Sequence, residues 1–284
     1  MRRFLLAFIF SALSFYGQTT AQSKIENSAI LIKFAEELFN LGEYYRAITE
    51  YMRIRSYFSS VQDSINIDLR IAECYYFGDR LEESASAYKS AYRSTSIPKE
   101  KNYALFKLAD INYRLARYDK AEDALYRLLE VNDAEYNGRA KYFLGYMEAS
   151  IFNWSSSAKW LNSISNDHPW YSNAEEISFK LSNPKLLPRK NPVMAGILSA
   201  IIPGSGYCYT GNCKIGGASF ILNTLFILGA VEAFKDRSFA IGTTFAVIGS
   251  GWYTGNIFGS VSKAHRYNAS VKTEYFLRLN FVYR

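Results

Sequence analysis

A small residue recurs along the first part of the chain with an almost constant period. The positions are Ala35, Ala72, Ala109 and Gly145, which lie 37, 37 and 36 residues apart. A second small residue follows each of them after twelve positions, at Ala47, Ser84, Ala121 and Ser157. Small residues allow two helices to approach closely, and one such helix pair cannot bury its apolar face alone. The period therefore predicts four helix–turn–helix repeats that are stable only when stacked.

Larger side chains recur in the same register. They are Tyr44, Leu81, Tyr118 and Trp154 near the start of each second helix, and Tyr51, Tyr88, Leu125 and Leu161 further along it. With the stretches GEYYRAITEY and ARYDKAEDAL, this pattern resembles the tetratricopeptide repeat family, although each repeat is longer than that family's usual repeat of about 34 residues. The resemblance covers residues 28–170. It implies an all-α solenoid of helical hairpins over 28–182, ending in a cap helix at 172–181.

Repeats of that family bind peptides on the face lined by the first helix of each pair, which implies a protein or extended peptide as partner. One position of this face carries acidic residues in three repeats, at Glu36, Glu73 and Asp110. Three residues later come the aromatic residues Phe39, Tyr76 and Tyr113, while the fourth repeat places Tyr146 at the first of these positions. The stripe predicts a groove for a segment with basic and apolar residues. The alternative is that the rings pack between repeats and the acids are solvated.

The N-terminus has the composition of a targeting segment. Arg2 and Arg3 precede an apolar stretch from Phe4 to Tyr16, and Thr19-Thr20-Ala21 supplies a small residue for cleavage. This order predicts a secretory signal peptide at residues 1–21, with an uncleaved anchor as the alternative. No cysteine directly follows the apolar stretch, so a lipid anchor is not expected. Either reading predicts that the repeats are exported.

A charge-poor region follows a basic linker at residues 183–190. Between Asn191 and Ser262 there are five charged residues, and the same region holds 12 of the 17 glycines. Ile215–Phe234 and Phe239–Gly259 are each long enough to cross a bilayer, which takes about 20 residues. Val193–Ile202 is too short to cross alone and predicts either a kinked span or a re-entrant or interfacial helix. The region therefore predicts a two- or three-span transmembrane helical module at 191–268, with a buried hairpin of a soluble protein as the alternative.

The most distinctive string of this module is a turn rich in glycine and tyrosine. Its key residues are Pro203, Gly204, Gly206, Tyr209 and Gly211, in the pattern P-G-x-G-x-x-Y-x-G. The pattern is similar to a module of bacterial envelope proteins of unassigned function, which often follows tetratricopeptide repeats. The resemblance implies an integral membrane protein with no known reaction and a loose tie to membrane-protein biogenesis. With the signal peptide, it predicts the inner membrane, with the repeats on the periplasmic side.

Polar and small residues within the apolar stretches predict how the helices pack. Gly251, Gly255 and Gly259 recur every four residues, a spacing typical of close helix contact in lipid. This ridge is expected to face Ile215–Phe234 or a second subunit, which would make a homo-oligomer. Asn223 and Asn256 are polar residues within apolar helices, and they are expected to pair with each other.

Within the tail at residues 269–284, apolar and polar side chains alternate from Glu274 to Arg284. One side of an extended chain would carry Tyr275, Leu277, Leu279, Phe281 and Tyr283, and the other Arg278, Asn280 and Arg284. This period of two predicts a strand.

Few residues of the chain are suited to catalysis or metal binding. The two histidines, His168 and His265, lie far apart, and the chain contains no nucleophile elbow, HExxH motif, phosphate loop or acidic pair. We therefore expect no enzyme activity, no metal and no cofactor. Cys208 and Cys213 flank a turn and are candidates for a disulfide in an oxidising compartment.

The charge of the chain predicts its partners only in outline. The net charge is +7, and removal of Arg2 and Arg3 leaves 7 − 2 = +5, which fits anionic surfaces such as membrane lipid and does not imply nucleic acid. The sequence predicts a membrane-anchored scaffold or adaptor of the cell envelope. The alternatives are a repeat protein of the outer envelope that binds peptide or glycan, and an accessory subunit of a transporter or enzyme.

Overall fold

The computed structural model describes residues 28–57, 66–182 and 187–282, and within these ranges it contains thirteen α-helices and no strand. The first nine helices are α1 (28–40), α2 (Tyr44–Tyr57), α3 (Ile67–Phe77), α4 (Leu81–Ser94), α5 (Pro98–Arg114), α6 (Tyr118–Leu129), α7 (Ala134–Ser150), α8 (Trp154–Asn162) and α9 (Tyr171–Ser182). The last four are α10 (Pro192–Ile201), α11 (Ser205–Tyr209), α12 (Cys213–Lys235) and α13 (Phe239–Leu277). The predicted all-α class is confirmed over these ranges. The predicted signal peptide at 1–21 lies outside the described residues.

The chain divides into two compact units. The first holds the described residues up to Leu144 together with Ser163–Tyr171. The second holds Gly145–Asn162 together with the described residues of Ser172–Val282. The helix expected at 172–181 is present as α9.

The recurring small residues lie where the two helices of a pair meet. In the first unit Ala72 and Ser84 are fully buried, and the Ser84 hydroxyl donates a hydrogen bond of 2.9 Å to the Ala72 carbonyl. In the second unit the Ser157 hydroxyl donates to the Gly145 carbonyl over 2.7 Å. A larger residue at either position would push the helices apart, since a Cβ on Gly145 would already lie 2.9 Å from Leu161. The small-residue spacing therefore predicted these helix contacts correctly.

One turn geometry joins the two helices of every repeat. The residue seven positions after the first small residue has a positive φ each time, at Gly42 (78°), Asp79 (57°), Ala116 (55°) and Phe152 (64°). The next N–H then donates to a carbonyl five residues back, as from Glu43 to Leu38 over 2.9 Å. This is the bond of a Schellman turn, which satisfies an end carbonyl of the first helix. The turn persists although three repeats lack the glycine that this conformation favours.

The cysteine of the repeats is a core residue. Cys74 is fully buried on α3 within a cluster of apolar side chains. Burial, with the Glu73 carboxylate as a smaller cause, raises the pKa of the Cys74 thiol to about 12. The thiol therefore stays protonated and unreactive, and Cys74 acts as a small apolar core residue.

The short apolar stretch of the second unit forms a helical hairpin that returns to its starting point. Asn191 caps α10, since its side-chain oxygen accepts hydrogen bonds from the backbone N–H groups of Val193 and Met194. Helix α10 ends just before Pro203, and α11 returns until the Tyr209 hydroxyl accepts the Asn191 N–H over 3.1 Å. Because the chain turns back here, it does not continue as one kinked helix from Val193 through Pro203 to Tyr209.

Helix α12 is the one described helix that is long and apolar enough to cross a membrane. It has 23 residues with a mean hydropathy of 1.6 in its most apolar window, and only 11% of that window is buried. The second stretch, Phe239–Gly259, forms the first part of α13, where glycine, serine and threonine residues lower the hydropathy. The two helices run antiparallel, since Phe234 contacts Gly242 and Phe226 contacts Gly249.

The strand predicted for the tail is wrong over the described residues, because α13 continues to Leu277. A helix satisfies its own backbone hydrogen bonds, whereas a single strand would need a neighbouring strand to pair with. The aromatic residues of the tail pack on the fourth hairpin within the same unit. The Tyr275 ring lies 5.9 Å from that of Trp154, and its hydroxyl donates to the Lys180 carbonyl over 2.7 Å.

Candidate functional site

The acidic residues predicted to line a groove are occupied by partners within the protein. Glu36 accepts a hydrogen bond from the Tyr51 hydroxyl (2.7 Å) and pairs with Arg70 of the next repeat (2.6 Å). Burial, together with the bond to Glu36, raises the pKa of Tyr51 above its usual range. The first acid of the stripe is therefore part of the contact between two repeats.

The other two acids follow the same rule. Glu73 pairs with Arg70 over 2.7 Å and accepts from the Tyr103 hydroxyl over 2.6 Å. Asp110 accepts from the Tyr76 hydroxyl over 2.5 Å, and the Arg114 guanidinium lies 3.1 Å from it. The stripe is thus a chain of ion pairs and hydrogen bonds that links successive repeats. Neither a free acidic wall nor fully solvated acids describe it.

The aromatic residues of the stripe pack against other rings, as the alternative interpretation expected. Phe39 contacts Tyr44 and Phe77 edge-on, with centroids 5.5 and 5.6 Å away. Tyr113 makes similar contacts with Tyr118 and Phe143.

In the second unit, Tyr146 packs against the tail. Its ring lies 5.5 Å from Phe276 and 5.2 Å from Phe281. Tyr146, which the sequence placed in the groove of the fourth repeat, therefore packs against the C-terminal segment.

Sequence reasoning missed the basic residue at the centre of this face. The Lys107 ammonium lies 4.4 Å from the centroid of the Tyr76 ring and 5.7 Å from that of Tyr103. Burial lowers the pKa of Lys107, while the Asp110 carboxylate opposes this shift. No salt bridge of Lys107 occurs within the described residues. A signal for it was visible, because Lys33, Arg70 and Lys107 all lie two residues before the recurring small residue.

The histidine of the first unit has a structural role. The His168 ring is nearly buried, with Nε2 3.1 Å from the Glu135 carbonyl and Nδ1 accepting the Trp170 N–H. Burial lowers its pKa. A Cβ on Gly138 would lie 2.3 Å from this ring, so the glycine makes room for it. No cluster of three metal-ligating side chains occurs in the part of the chain that the structure describes.

The predicted turn of the membrane module is a packing site. Gly204 has a φ of +87°, and a Cβ there would lie 2.0 Å from the Gly216 carbonyl oxygen of α12. A Cβ on Gly206 would lie 2.0 Å from the Ala195 carbonyl oxygen of α10. Gly204 therefore allows the α10–α11 hairpin to contact the backbone of α12, and Gly206 allows α11 to contact the backbone of α10. Gly211 has a φ of +86° and open space around it.

The Gly ridge does not contact α12 in the way the sequence predicted. Gly251 and Gly255 have no other atom within 4 Å of a built Cβ, and Gly259 faces Tyr207. The correct glycines are Gly242 and Gly249, because the ridge turns to another side of α13. Contact between subunits through the ridge stays a prediction.

The two asparagines of the apolar helices are buried, but they do not form the predicted pair. The Asn223 amide donates to the Ser219 carbonyl of its own helix over 2.7 Å. The Asn256 amide nitrogen has no hydrogen-bond partner among the described residues. The two cysteines near the turn, Cys208 and Cys213, are exposed free thiols and do not form the predicted disulfide.

The two ends of the α10–α13 module are joined by a side-chain clamp. The Lys190 backbone N–H donates to the Asn268 side-chain oxygen over 2.8 Å, and the Asn268 amide donates back to the Lys190 carbonyl over 2.8 Å. Lys190 precedes α10, and Asn268 lies within α13. One side chain thus fixes the beginning of the module to its end.

Comparison with known proteins adds no relative to these observations. No family model matches the chain, and no curated protein matches it. The resemblance to tetratricopeptide repeats therefore depends on the period, the small-residue contacts and the shared turn geometry. The function has to be argued from the geometry of the two units themselves.

Proposed function

We propose that this protein is a membrane-anchored scaffold, in which the helical repeats bind a protein segment and the α10–α13 module holds them at a membrane. The observation that carries the proposal is the exposed apolar surface of α12 and α13. Leu228, Val247 and Phe258 are 59%, 64% and 73% exposed. The core helix of a soluble protein would be mostly buried, so this surface fits lipid better than water.

Both helices of the hairpin are proposed to cross the membrane. At 1.5 Å per residue, α12 is about 34 Å long, which matches a hydrocarbon core of about 30 Å. Helix α13 lies antiparallel to it over its first half, with contacts such as Phe226–Phe245. A hydrophobic helix that packs along a span in this way is expected to share its depth in the bilayer.

The clamp between Lys190 and Asn268 supports an even number of crossings. A hydrogen-bonded pair cannot lie on opposite sides of a bilayer, so the chain has to enter and leave the module on one side. The bond from Tyr275 to the Lys180 carbonyl favours the same side for the tail and the last repeat. We therefore propose two spans, with the α10–α11 hairpin entering from the repeat side and returning to it.

Two signals favour different sides for the repeats. The predicted signal peptide favours export. The basic residues favour the cytoplasm for the repeats, since Arg189, Lys190 and Lys263 lie near the repeat end, whereas the turn between α12 and α13 carries two basic residues, Lys235 and Arg237. We propose that the first targeting segment dominates. This places the protein in the inner membrane with the repeats on the periplasmic side.

A labelling experiment tests both insertion and topology. Cysteine is introduced at Ser182, Thr273 or Asp236 in a chain whose Cys208 and Cys213 are serine, and intact cells are treated with a membrane-impermeant thiol reagent. We expect Ser182→Cys and Thr273→Cys to be labelled alike, and Asp236→Cys to be labelled only after permeabilisation. Protein that leaves the membrane at alkaline pH would contradict the anchor. Labelling of Ser182→Cys and Thr273→Cys from opposite sides would contradict the two-span topology.

The repeats are proposed to bind an extended segment that carries a carboxylate. A basic segment, as the sequence suggested, would find the acids already paired with Arg70, Arg114 and tyrosine hydroxyls. Lys107 instead offers an ammonium without a salt bridge within the described residues, partly desolvated beside two tyrosine rings. A carboxylate here would form a charge-assisted hydrogen bond in a site that excludes much of the water.

Peptide selection on the full-length protein in detergent tests this preference. We expect selected peptides to contain acidic residues or to need a free C-terminal carboxylate. Lys107→Gln should weaken their binding about tenfold or more, because hydrogen bonds to charged groups contribute roughly 1.5–3 kcal/mol. Lys120→Gln, an exposed lysine on α6, is the matched control. Equal binding by both variants would remove Lys107 from the site.

A further inference from the structure

A cavity lined by basic and polar side chains lies at the N-terminal end of α10, within the second unit. It has a volume of about 470 Å³, and it is lined by Arg189, Lys190, Asn191, Pro192, Tyr209, His265 and Asn268. A neighbouring cavity of about 420 Å³ shares Arg189 and Asn268 and adds Lys272 and the ring of Trp154. We name the first of these the basic cavity. Among the described residues, no acidic side chain lines either cavity.

The positive charge of the basic cavity is not balanced by the protein. Arg189 and Lys190 form no ion pair within the described residues, and neither does Lys272 of the neighbouring cavity. Glu274, the nearest acid along α13, is already paired with Arg278. Without a counter-charge, these cations attract an anion from outside the chain.

The Lys190 ammonium is held in place instead of moving freely in solvent. The Asn268 clamp fixes its backbone on both sides. The ammonium lies 4.8 Å from the centroid of the Tyr209 ring and 5.8 Å from that of Tyr267. A lysine that is oriented before binding loses less side-chain entropy when it contacts a ligand.

An apolar surface begins directly beside the basic cavity. Along α10, which starts at Pro192, the side chains of Val193, Ile197 and Ile201 are 66%, 47% and 70% exposed. A ligand that reaches from the cavity along α10 would therefore meet cations first and then an aliphatic surface. That order of polarity belongs to a phospholipid lying with its headgroup at the membrane surface.

The opposite end of the hairpin differs in charge, because acidic residues accompany its basic ones. The turn between α12 and α13 carries Lys235 and Arg237, but Glu232 and Asp236 accompany them, and Glu232 pairs with Lys235. Basic groups near a membrane surface each favour anionic lipid. The two ends of the hairpin therefore differ in their expected affinity for such lipids.

We propose that the basic cavity binds the phosphate-bearing headgroup of an anionic phospholipid, with its acyl chains along α10. The proposal rests on the proposed membrane insertion of α12 and α13. Arg189 and Lys190 neutralise the phosphate, and the α10 surface contacts the chains. Lipid bound here holds the segment before α10 against α13, which fixes the orientation of the module at the membrane surface.

Lipid titration of the purified full-length protein in a mild non-ionic detergent tests the proposal. The probes are phosphatidylglycerol, phosphatidylcholine with the same acyl chains, and inorganic phosphate. Bound lipid is counted by native mass spectrometry, and the midpoint of thermal unfolding is measured in parallel. We expect phosphatidylglycerol to bind and to raise the midpoint more than either other probe.

The double variant Arg189→Gln, Lys190→Gln locates the effect. It keeps the backbone bonds to Asn268, and we expect its affinity for phosphatidylglycerol to fall about 10- to 30-fold. The matched control Lys235→Gln, Arg237→Gln removes the same charge at the opposite end and should bind like the unchanged protein. Equal losses in both doubles would overturn the site, and so would equal binding of the two lipids by the unchanged protein.

The remaining outcomes separate the two proposals. An equal effect of inorganic phosphate would mean a soluble phosphate ligand and would overturn the lipid assignment. If the Arg189, Lys190 double variant fails to fold, the comparison of the three probes on the unchanged protein still decides between lipid and phosphate. Failure of membrane insertion would appear in the cysteine labelling experiment, independently of any lipid bound in detergent.

Discussion

Replacement of Gly204 by alanine is expected to prevent the α10–α13 module from folding. The new Cβ would lie 2.0 Å from the Gly216 carbonyl oxygen, in a backbone conformation with a φ of +87°. The position of the Cβ is fixed by the backbone of residue 204, and the oxygen is itself a backbone atom. The clash therefore cannot be relieved by rotating a side chain. Strain of the positive φ costs about 1–3 kcal/mol, and the overlap adds a further 1–3 kcal/mol or more. Thermal unfolding in detergent and the yield of protease-resistant module measure the effect.

Two other glycines provide controls for this variant. Gly211→Ala introduces the same strain at a φ of +86° but meets no atom within 4 Å, so a loss of about 1–3 kcal/mol is expected. Gly217→Ala has neither the strain nor a contact and should be nearly neutral. If Gly204→Ala and Gly211→Ala lost equal stability, the close approach of α11 to α12 would not be a determinant of the fold.

Tyr51→Ala is expected to cause the largest loss of stability in the repeats. The ring is fully buried, and its hydroxyl donates to Glu36. Removal of a buried aromatic side chain costs about 3–5 kcal/mol, because the surrounding core closes only in part. The loss should extend to the next repeat, since Glu36 also pairs with Arg70. Unfolding of the full-length protein followed by circular dichroism measures it.

Two variants separate the ring from the hydroxyl of Tyr51. Tyr51→Phe keeps the packing and should cost only about 0.5–1.5 kcal/mol, because Glu36 retains Arg70. Tyr45→Ala changes a tyrosine of the same helix that is 55% exposed, and a change within about 0.5 kcal/mol is expected. Similar losses for Tyr51→Ala and Tyr45→Ala would contradict the repeat core described above.

The face of the first helices illustrates how far the sequence could reach. Glu36, Glu73 and Asp110 occupy one repeat position, and their shared face followed from the period alone. The partners of these acids could not be predicted from the period. Arg70 and Tyr103 belong to the next repeat, and their distances from Glu36 and Glu73 depend on how the repeats stack. An acidic residue that is paired with a cation within the protein therefore adds little net charge to a binding surface.

The tail shows a different limit. Tyr275, Leu277 and Leu279 alternate with polar residues, which a strand and a helix end can both accommodate. Packing decided between them, since the Tyr275 hydroxyl reaches the Lys180 carbonyl and Leu279 is buried. In the helical conformation, Tyr275 contacts Trp154 and Phe276 contacts Tyr146. These aromatic contacts compensate for the weak local preference of the segment for a helix.

The sequence by itself determined the elements that depend on neighbours in the chain. It indicated the paired helices from Ala72 and Ser84, the glycine turn at Gly204, and the apolar length of α12, because period, φ and hydrophobicity are local properties. Only the tertiary structure decided which distant groups meet. The clamp from Lys190 to Asn268 and the basic cavity beside it join residues that are 78 positions apart. Such contacts follow from the packing of whole helices, which no local pattern encodes.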